Sequence, residues 1–499
     1  MINKRFTKKT QRDIEATMRT LNSKSLFRAA FLWIVAMSIG SPPTSHASGL
    51  LRAEGQYFKD AQGRNVLLRG LDLSNIGKVP PFNPLPDLSV LPKMRDWGIN
   101  NIRLAFIWEA FEPKKGQYNY DYLNQLNTIV NAAGKVGITT VIDFHTDAFS
   151  RYSIGGCGSG FPEWTVPPDV KARTPSNGAL CSAWAIEAGI ENMIPFSGYH
   201  KTVNAFYSDT YGARTSYLEA WTQVAHYFKD NPNVIGYDLL NEPWGAEKKQ
   251  LAPLYEDAAK AIRSEDPNAI LMIEPFVMVG LGFFTTLPKP SFQNFAYAPH
   301  DYDLFALAFK AWFTGGLLID NIFKAIESTS NRMNAPIYMG EYGASADGLG
   351  ERSLIEHYYH LFDQHFVSGG QWDLSTWNPK TQDGWNFEDM SITDANGNLR
   401  NNFDVRPFPA AVAGKPGAIS ENFPKDLSQM KILSFSWENQ PESGQTIFFI
   451  PKNTLGGSAF TVDFKSNDSA LDCSFDSTSF FLSCSSPSSG EKKIDISIH

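Results

Sequence analysis

Strand-length apolar runs alternate with helix-length amphipathic segments from residue 65 to residue 379, and few chain topologies accommodate that alternation. The runs are Asn65–Ser74, Ile99–Trp108, Ile138–His145, Val234–Pro243, Ala269–Pro275, Asn294–Tyr302, Ala335–Gly343 and Gly370–Pro379. Leu88–Gly98, Tyr120–Gly137, Ser216–Asp230, Ala252–Asp266, Ile319–Glu327 and Ser353–Phe366 carry helical periodicity between them. Strands that are apolar throughout are buried on both faces, and with helical crossovers they form a parallel sheet. Eight such strands predict an α/β fold of the (β/α)8 TIM-barrel kind. An open doubly wound sheet is the rival, but no G-x-G-x-x-G follows the first strand.

Beyond about Ala411 the texture changes. "MKILSFSWEN", "TIFFIPKN", "AFTVDFKS", "SFFLSCSS" and "KKIDISIH" alternate apolar and polar residues between Gly, Ser, Asn and Pro, with no helical period. They predict a small C-terminal β-sandwich over 411–499, joined through Pro407–Ser420 to a catalytic barrel over 48–410. The N-terminus reads as a signal peptide, residues 1–47. Lys4, Arg5, Lys8, Lys9, Arg12, Arg19, Lys24 and Arg28 precede the apolar run Ala29–Gly40, and Ser45-His46-Ala47 has small-x-small form. The run is short for a membrane span, so the expected location is secreted or periplasmic, with a mature chain starting near Ser48; an uncleaved anchor is the alternative. Cysteine usage agrees with an oxidising compartment. Cys157 and Cys181 form one local pair, Cys473 and Cys484 another, each able to close a loop worth about 3 kcal/mol. Neither pair has C-x-x-C spacing and no His cluster accompanies them, so no metal is expected. A formal net charge of −8 with 19% charged residues excludes nucleic acid as a charge-driven partner.

In a TIM barrel chemistry sits where the strands end. The second run carries Arg103; the third ends in Asp143 and His145, the fourth in Asn241 and Glu242, and the fifth in Glu274. The sixth ends in His300 and Tyr302, the seventh in Glu341, and the eighth delivers Trp377. A lone carboxylate or histidine at such a place is more often a cap or a structural residue. Two glutamates ending the fourth and seventh strands face each other across the mouth, which suits glycosidic cleavage: one protonates the leaving oxygen and the other attacks the anomeric carbon. Arg103 would keep Glu341 ionised, Tyr302 would donate to the same carboxylate, and Asn241 would bind a sugar hydroxyl. His145 and His300 would grip hydroxyls or tune the acid, and Trp377 would offer a flat stacking floor.

"LLNEP", "IRLAFIWEAFEP", "VIDFH", "APHDY" and "MGEYG" resemble glycoside hydrolase family 5 from Arg103 to Trp377. The resemblance implies Glu242 as acid/base, Glu341 as nucleophile, and Arg103, His145, Asn241, His300, Tyr302 and Trp377 as substrate-binding positions. Within the family, "DFHTDAFSRY" with "GGCGSGFPEWTV", "YAPHDYD" and the barrel-plus-sandwich layout resemble endoglycoceramidases. That implies no cofactor, a monomer, and a glycosphingolipid substrate presented in micelles or at a membrane surface. It also places Lys78 and Asp147 against the glycan. A polysaccharide endoglucanase or mannanase, and a non-catalytic carbohydrate- or lipid-binding protein, are the alternatives. Large apolar residues crowd Pro275–Pro290 and Asp303–Phe323, and Phe284 and Trp312 are the expected contacts of a greasy aglycone.

Overall fold

β1 (Arg69–Leu73), β2 (Asn101–Phe106), β3 (Thr139–Phe144), β4 (Val234–Asp238) and β5 (Ile270–Ile273) lie side by side in parallel. β6 (Phe295–Tyr297, resuming at His300–Asp301), β7 (Tyr338–Tyr342) and β8 (Ser368–Gln371) continue the sheet, and β8 pairs back onto β1. A parallel bridge from Tyr297 to Ile337 joins β6 to β7 and closes the barrel. This is a computed structural model that describes residues 51–499 apart from 182, 376–384, 387 and 423–429; the leader falls outside the described residues. Everything described belongs to one compact unit, Ala47–His499.

Burial on both faces explains the unbroken apolar runs: every residue of β2, β3, β5, β7 and β8 is buried. The crossover helices bury one stripe each. Tyr120–Lys135 starts at Asn119, whose side chain accepts the Tyr122 backbone N–H, and buries Leu123, Leu126, Val130 and Ala133. It stops before Gly137, which adopts the left-handed φ of 78° that glycine tolerates. Helices Val90–Asp96, Ala213–Phe228, Ala252–Arg263, Leu317–Met333 and Glu351–His365 complete the wall, and between β5 and β6 the chain makes only a short 3-10 turn, Val277–Leu281. Between β3 and β4 a long insertion carries helices Trp184–Met193 and Gly198–Tyr207, stapled at its start by Cys157–Cys181.

The C-terminal part is antiparallel. Gly414–Asn422, Lys431–Asn439, Gly490–Ile498 and Val462–Ser466 form one sheet. Phe408–Val412, Thr446–Phe449, Phe481–Ser485 and Asp472–Asp476 belong to the other, and Cys473 is bonded to Cys484 directly across that ladder. Leu433, Phe435 and Trp437 alternate inward from one sheet and meet Phe448 of the other. Arg52–Glu54, Tyr57–Lys59 and Asn65–Val66 extend this second sheet. The run Asn65–Ser74, expected as one strand, is therefore two: Asn65–Val66 pairs with Phe408–Val412 and Arg69–Leu73 enters the barrel. An unbroken apolar run does not reveal a change of partner. The eighth strand is also shorter than Gly370–Pro379, ending at Gln371.

Candidate active site

Arg103 is the only charged residue in β2, and its side chain is enclosed by the barrel mouth. A buried guanidinium needs a partner for each of its donors, and the strand ends supply them. Nε donates to Asp238 (2.9 Å), Nη1 to Glu341 (3.0 Å), and Nη2 to Glu274 (2.9 Å) and Asn241 (2.8 Å). Asp143 lies 3.0 Å and Asp72 3.4 Å from the same group. One side chain thus ties together the ends of β1, β3, β4, β5 and β7. Burial pushes Asp72 and Asp238 well above the usual carboxylate range, with Arg103 opposing the shift.

Glu242 and Glu341 face each other over this cluster. A carboxylate oxygen of each and a ring nitrogen of His300 all lie within 4.8 Å of one another. Glu242 sits just past β4 at a left-handed φ of 43°, a conformation uncommon outside glycine and concentrated at functional sites. Its backbone N–H donates to Glu274 (2.7 Å), and Pro243 follows it, so carboxyl and backbone are fixed together. His300 bridges the acids: Nδ1 lies 3.3 Å from Glu242 and Nε2 3.2 Å from Glu274. The Tyr302 hydroxyl donates to Glu341 at 3.0 Å.

These surroundings separate the two acids electrostatically. Burial raises the pKa of Glu242, reinforced by the charge of Glu341 and only partly offset by His300. Burial would raise Glu341 too, but His300, Arg103, His145 and Lys78 outweigh it and hold Glu341 below the ordinary glutamate value. His300 itself would be lowered by burial, yet Glu274 and Glu341 drive it well above the usual histidine range.

A polar wall stands beside the pair. His145 is held between Asp143 (2.6 Å) and Asp147 (3.3 Å), which keep it protonated, up to about 9, against the effect of burial. Lys78 reaches Asp147 at 3.1 Å and lies over the rings of Trp372 (4.3 Å) and Trp385 (4.0 Å). Trp372 stacks on His145 with centroids 5.8 Å apart. Glu388, 3.9 Å from Lys78, is pushed up to about 8 by burial.

The structure thus brings together Lys78, Arg103, His145, Asp147, Asn241, Glu242, His300, Tyr302 and Glu341. Trp377 lies outside the described residues, and Trp372 is the aromatic residue that follows β8. Of the two aromatic residues expected against an aglycone, Phe284 stands 87% exposed. Trp312 is half-buried, packed against the barrel core beside His357. Two groups of side chains at the site nonetheless stand at metal-ligand spacing. Glu242, His300 and Glu341 form one such group and Asp143, Asp238 and Glu274 another. The second surrounds the Arg103 guanidinium, which pairs with all three of its acids. Sequence reasoning missed Asp72 and Asp238, although a lone acid inside "GLDLS" or "GYDLL" signals a buried partner. Trp385 and Glu388 follow β8 in irregular chain and left no periodic signal.

A closed barrel with a glutamate pair at the ends of β4 and β7, one with its pKa raised and the other with its pKa lowered, defines a glycoside hydrolase. The chain belongs to glycosyl hydrolase family 5: the cellulase family matches residues 59–378. Endoglycoceramidase I of Rhodococcus hoagii is 24% identical over 405 residues, covering 74% of each chain. Endoglycoceramidase of Cyanea nozakii is 26% identical over 430 residues, covering 76% of this chain and 80% of the relative. Endo-glycoceramidase II from Rhodococcus sp., solved in complex with ganglioside GM3, shares the fold. Its TM-score is 0.72 at 23% identity, over 89% of this chain and 99% of that one.

Proposed function

We propose that this chain is a secreted, retaining endo-β-glycosidase that hydrolyses the bond between the glycan and ceramide of glycosphingolipids. One observation carries the reading: a close carboxylate pair lies between a polar wall and an apolar rim. The polar wall is Lys78, His145, Asp147 and Trp372. The rim grows from the same mouth. Gly280 accepts the Tyr302 backbone N–H, and Val277 donates to the Pro243 carbonyl, so Val277–Leu281 seats on the catalytic residues. Phe283 and Phe284 follow it into solvent, and Leu304, Phe305, Phe309 and Phe313 emerge beyond Tyr302. Glycan hydroxyls suit the wall and lipid tails suit the rim; a polysaccharide would leave the phenylalanines unused. Endoglycoceramidases among the relatives support the same substrate class.

In this reading Glu341 attacks the anomeric carbon while Glu242 gives its proton to the departing ceramide oxygen. Glu242 then takes a proton from water, which attacks the glycosyl–Glu341 ester from the face the ceramide left. Oxygens within 4.8 Å suit direct attack; inversion needs about 6.5–9.5 Å between carboxyls to admit a water. His300 and Arg103 stabilise the negative charge that returns to Glu341 when the ester is cleaved.

The pH dependence follows from the opposed shifts. Glu341 must be ionised, and its lowered pKa places the acid limb below the ordinary glutamate value. Glu242 must be protonated, and its raised pKa places the alkaline limb above that value. The kcat/KM profile should be bell-shaped, and on an aryl glycoside with an activated leaving group Glu242→Ala should lose the alkaline limb. Persistence of that limb in Glu242→Ala would assign it to another group.

Phe284→Asp tests the substrate class. Hydrolysis of a glucosylceramide should fall about tenfold to 100-fold, from the burial free energy of one phenylalanine, with an aryl lactoside cleaved as before. Equal rates of wild type and variant on the lipid would remove the apolar rim as a reason to choose ceramide.

A further inference from the structure

The insertion between β3 and β4 presents a second apolar surface. In helix Trp184–Met193 and the residue after it, Ile186, Ile190, Met193 and Ile194 stand at i, i+4, i+7 and i+8, one side of a helix. That side is bare: Ile190 is 55% and Met193 79% exposed. Phe196 continues it at 84% exposure, held at a left-handed φ of 75°, a costly conformation for a bulky residue that makes no packing use of its ring.

The opposite side of the same helix is built into the catalytic mouth. The Trp184 indole N–H donates to Glu388 (3.3 Å) and its ring meets Trp385 at 5.4 Å. A Cβ added at Gly189 would sit 3.9 Å from the Trp244 ring, two residues beyond Glu242. Trp244 in turn packs on Phe276, where the segment leading to Phe283 and Phe284 begins. Two apolar surfaces thus flank one mouth, coupled through Trp244. A protein partner seated on the stripe would sit beside the substrate entrance and obstruct it. A lipid surface there brings the substrate with it.

We propose that helix Trp184–Met193 with Phe196 is an interfacial anchor that lies in the surface of the bilayer carrying the glycolipid. The proposal rests on the glycosphingolipid reading for its purpose, though not for its measurement. Apolar insertion drives the contact: on this flank Lys201 is paired with Asp169 (3.0 Å) and Arg173 faces Glu191 (3.7 Å). Zwitterionic phosphatidylcholine should therefore suffice.

The test uses the full chain and phosphatidylcholine vesicles without glycolipid. Ile190→Asp combined with Met193→Asp should lower the partition coefficient about 100-fold, from the transfer of two large apolar side chains. Phe196→Asp, which disturbs no packing, should lower it about tenfold. Hydrogen exchange over residues 184–196 should slow when wild type meets vesicles, a local readout that any other lipid-binding segment cannot mimic. Aryl lactoside cleavage should be unchanged in both variants. Undiminished vesicle binding by both variants, or unprotected exchange in that segment, would overturn the anchor. So would a wild-type dimer that the double variant converts to monomer with vesicle binding intact. Failure to cleave glucosylceramide in detergent micelles would instead sink the substrate reading and leave the vesicle result standing on its own.

Discussion

Glu341→Gln is expected to lower turnover about 10⁴-fold or more on every substrate, lipid or soluble. The substitution keeps the shape that Arg103 Nη1 and the Tyr302 hydroxyl hold at 3.0 Å each, so the loss reports the missing carboxylate rather than a collapsed site. Glu242→Ala should behave differently. Its contribution is a proton, and a leaving group that needs none should still depart from the sugar and leave the glycosyl–Glu341 ester. Azide, a nucleophile that needs no general base, should enter the space vacated by the side chain and restore turnover with a β-glycosyl azide as product. Rates measured for both variants on a glycosylceramide and on a dinitrophenyl glycoside would separate the roles. Near-wild-type activity in Glu341→Gln, or azide rescue of that variant in place of Glu242→Ala, would reverse the assignment.

Arg103→Met should have the largest effect on stability. Five carboxylates converge on the guanidinium from five strand ends, and Arg103, Asp72, Asp143, Asp238 and Glu274 are all buried. Breaking a buried ion pair from one side costs about 3–5 kcal/mol, because the remaining charge is left without compensation. Here several acids would have to take up protons or repel one another at the closure of the barrel. That cost is a large part of the 5–15 kcal/mol that folded domains typically possess. Arg103→Lys should fold better yet remain nearly inactive, since one ammonium cannot span Asp238, Glu274 and Glu341 in the planar arrangement that guanidinium makes. Urea unfolding and yield of soluble protein are the readouts, and a fully stable Arg103→Met would show that the acids are neutral without it.

Much of this architecture was legible because it rests on periodicity. β2, β3, β5 and β7 are buried end to end and mostly apolar, and the stop in Asn241-Glu242-Pro243 marked a strand delivering polar groups. The places where the sequence misled are those where partners change without a change in texture. "NVLLRG" serves two sheets, and nothing in its composition marks the switch at Leu67 and Leu68. "GQWDLSTWNP" contains two tryptophans, and strand propensity could not tell which one follows the last barrel residue. Exposure was the least legible property of all. Trp312 and Phe284 sit in equally apolar stretches, yet one packs beside His357 and the other stands in solvent. The stripe Ile186–Ile190–Met193 has the spacing of an ordinary buried helix face, and only the fold shows that none of the described residues covers it.

The central claim is the position of the cleaved bond, and the mass of the products tests it most directly. The protein is incubated separately with a ganglioside, a glucosylceramide and a soluble β-glucan, and the released species are weighed. The account predicts free ceramide together with the intact glycan from the ganglioside, with the β-glucan left at its original length. Shortened glucan chains with the ganglioside untouched, or single sugars trimmed from the outer end of the glycan, would contradict it.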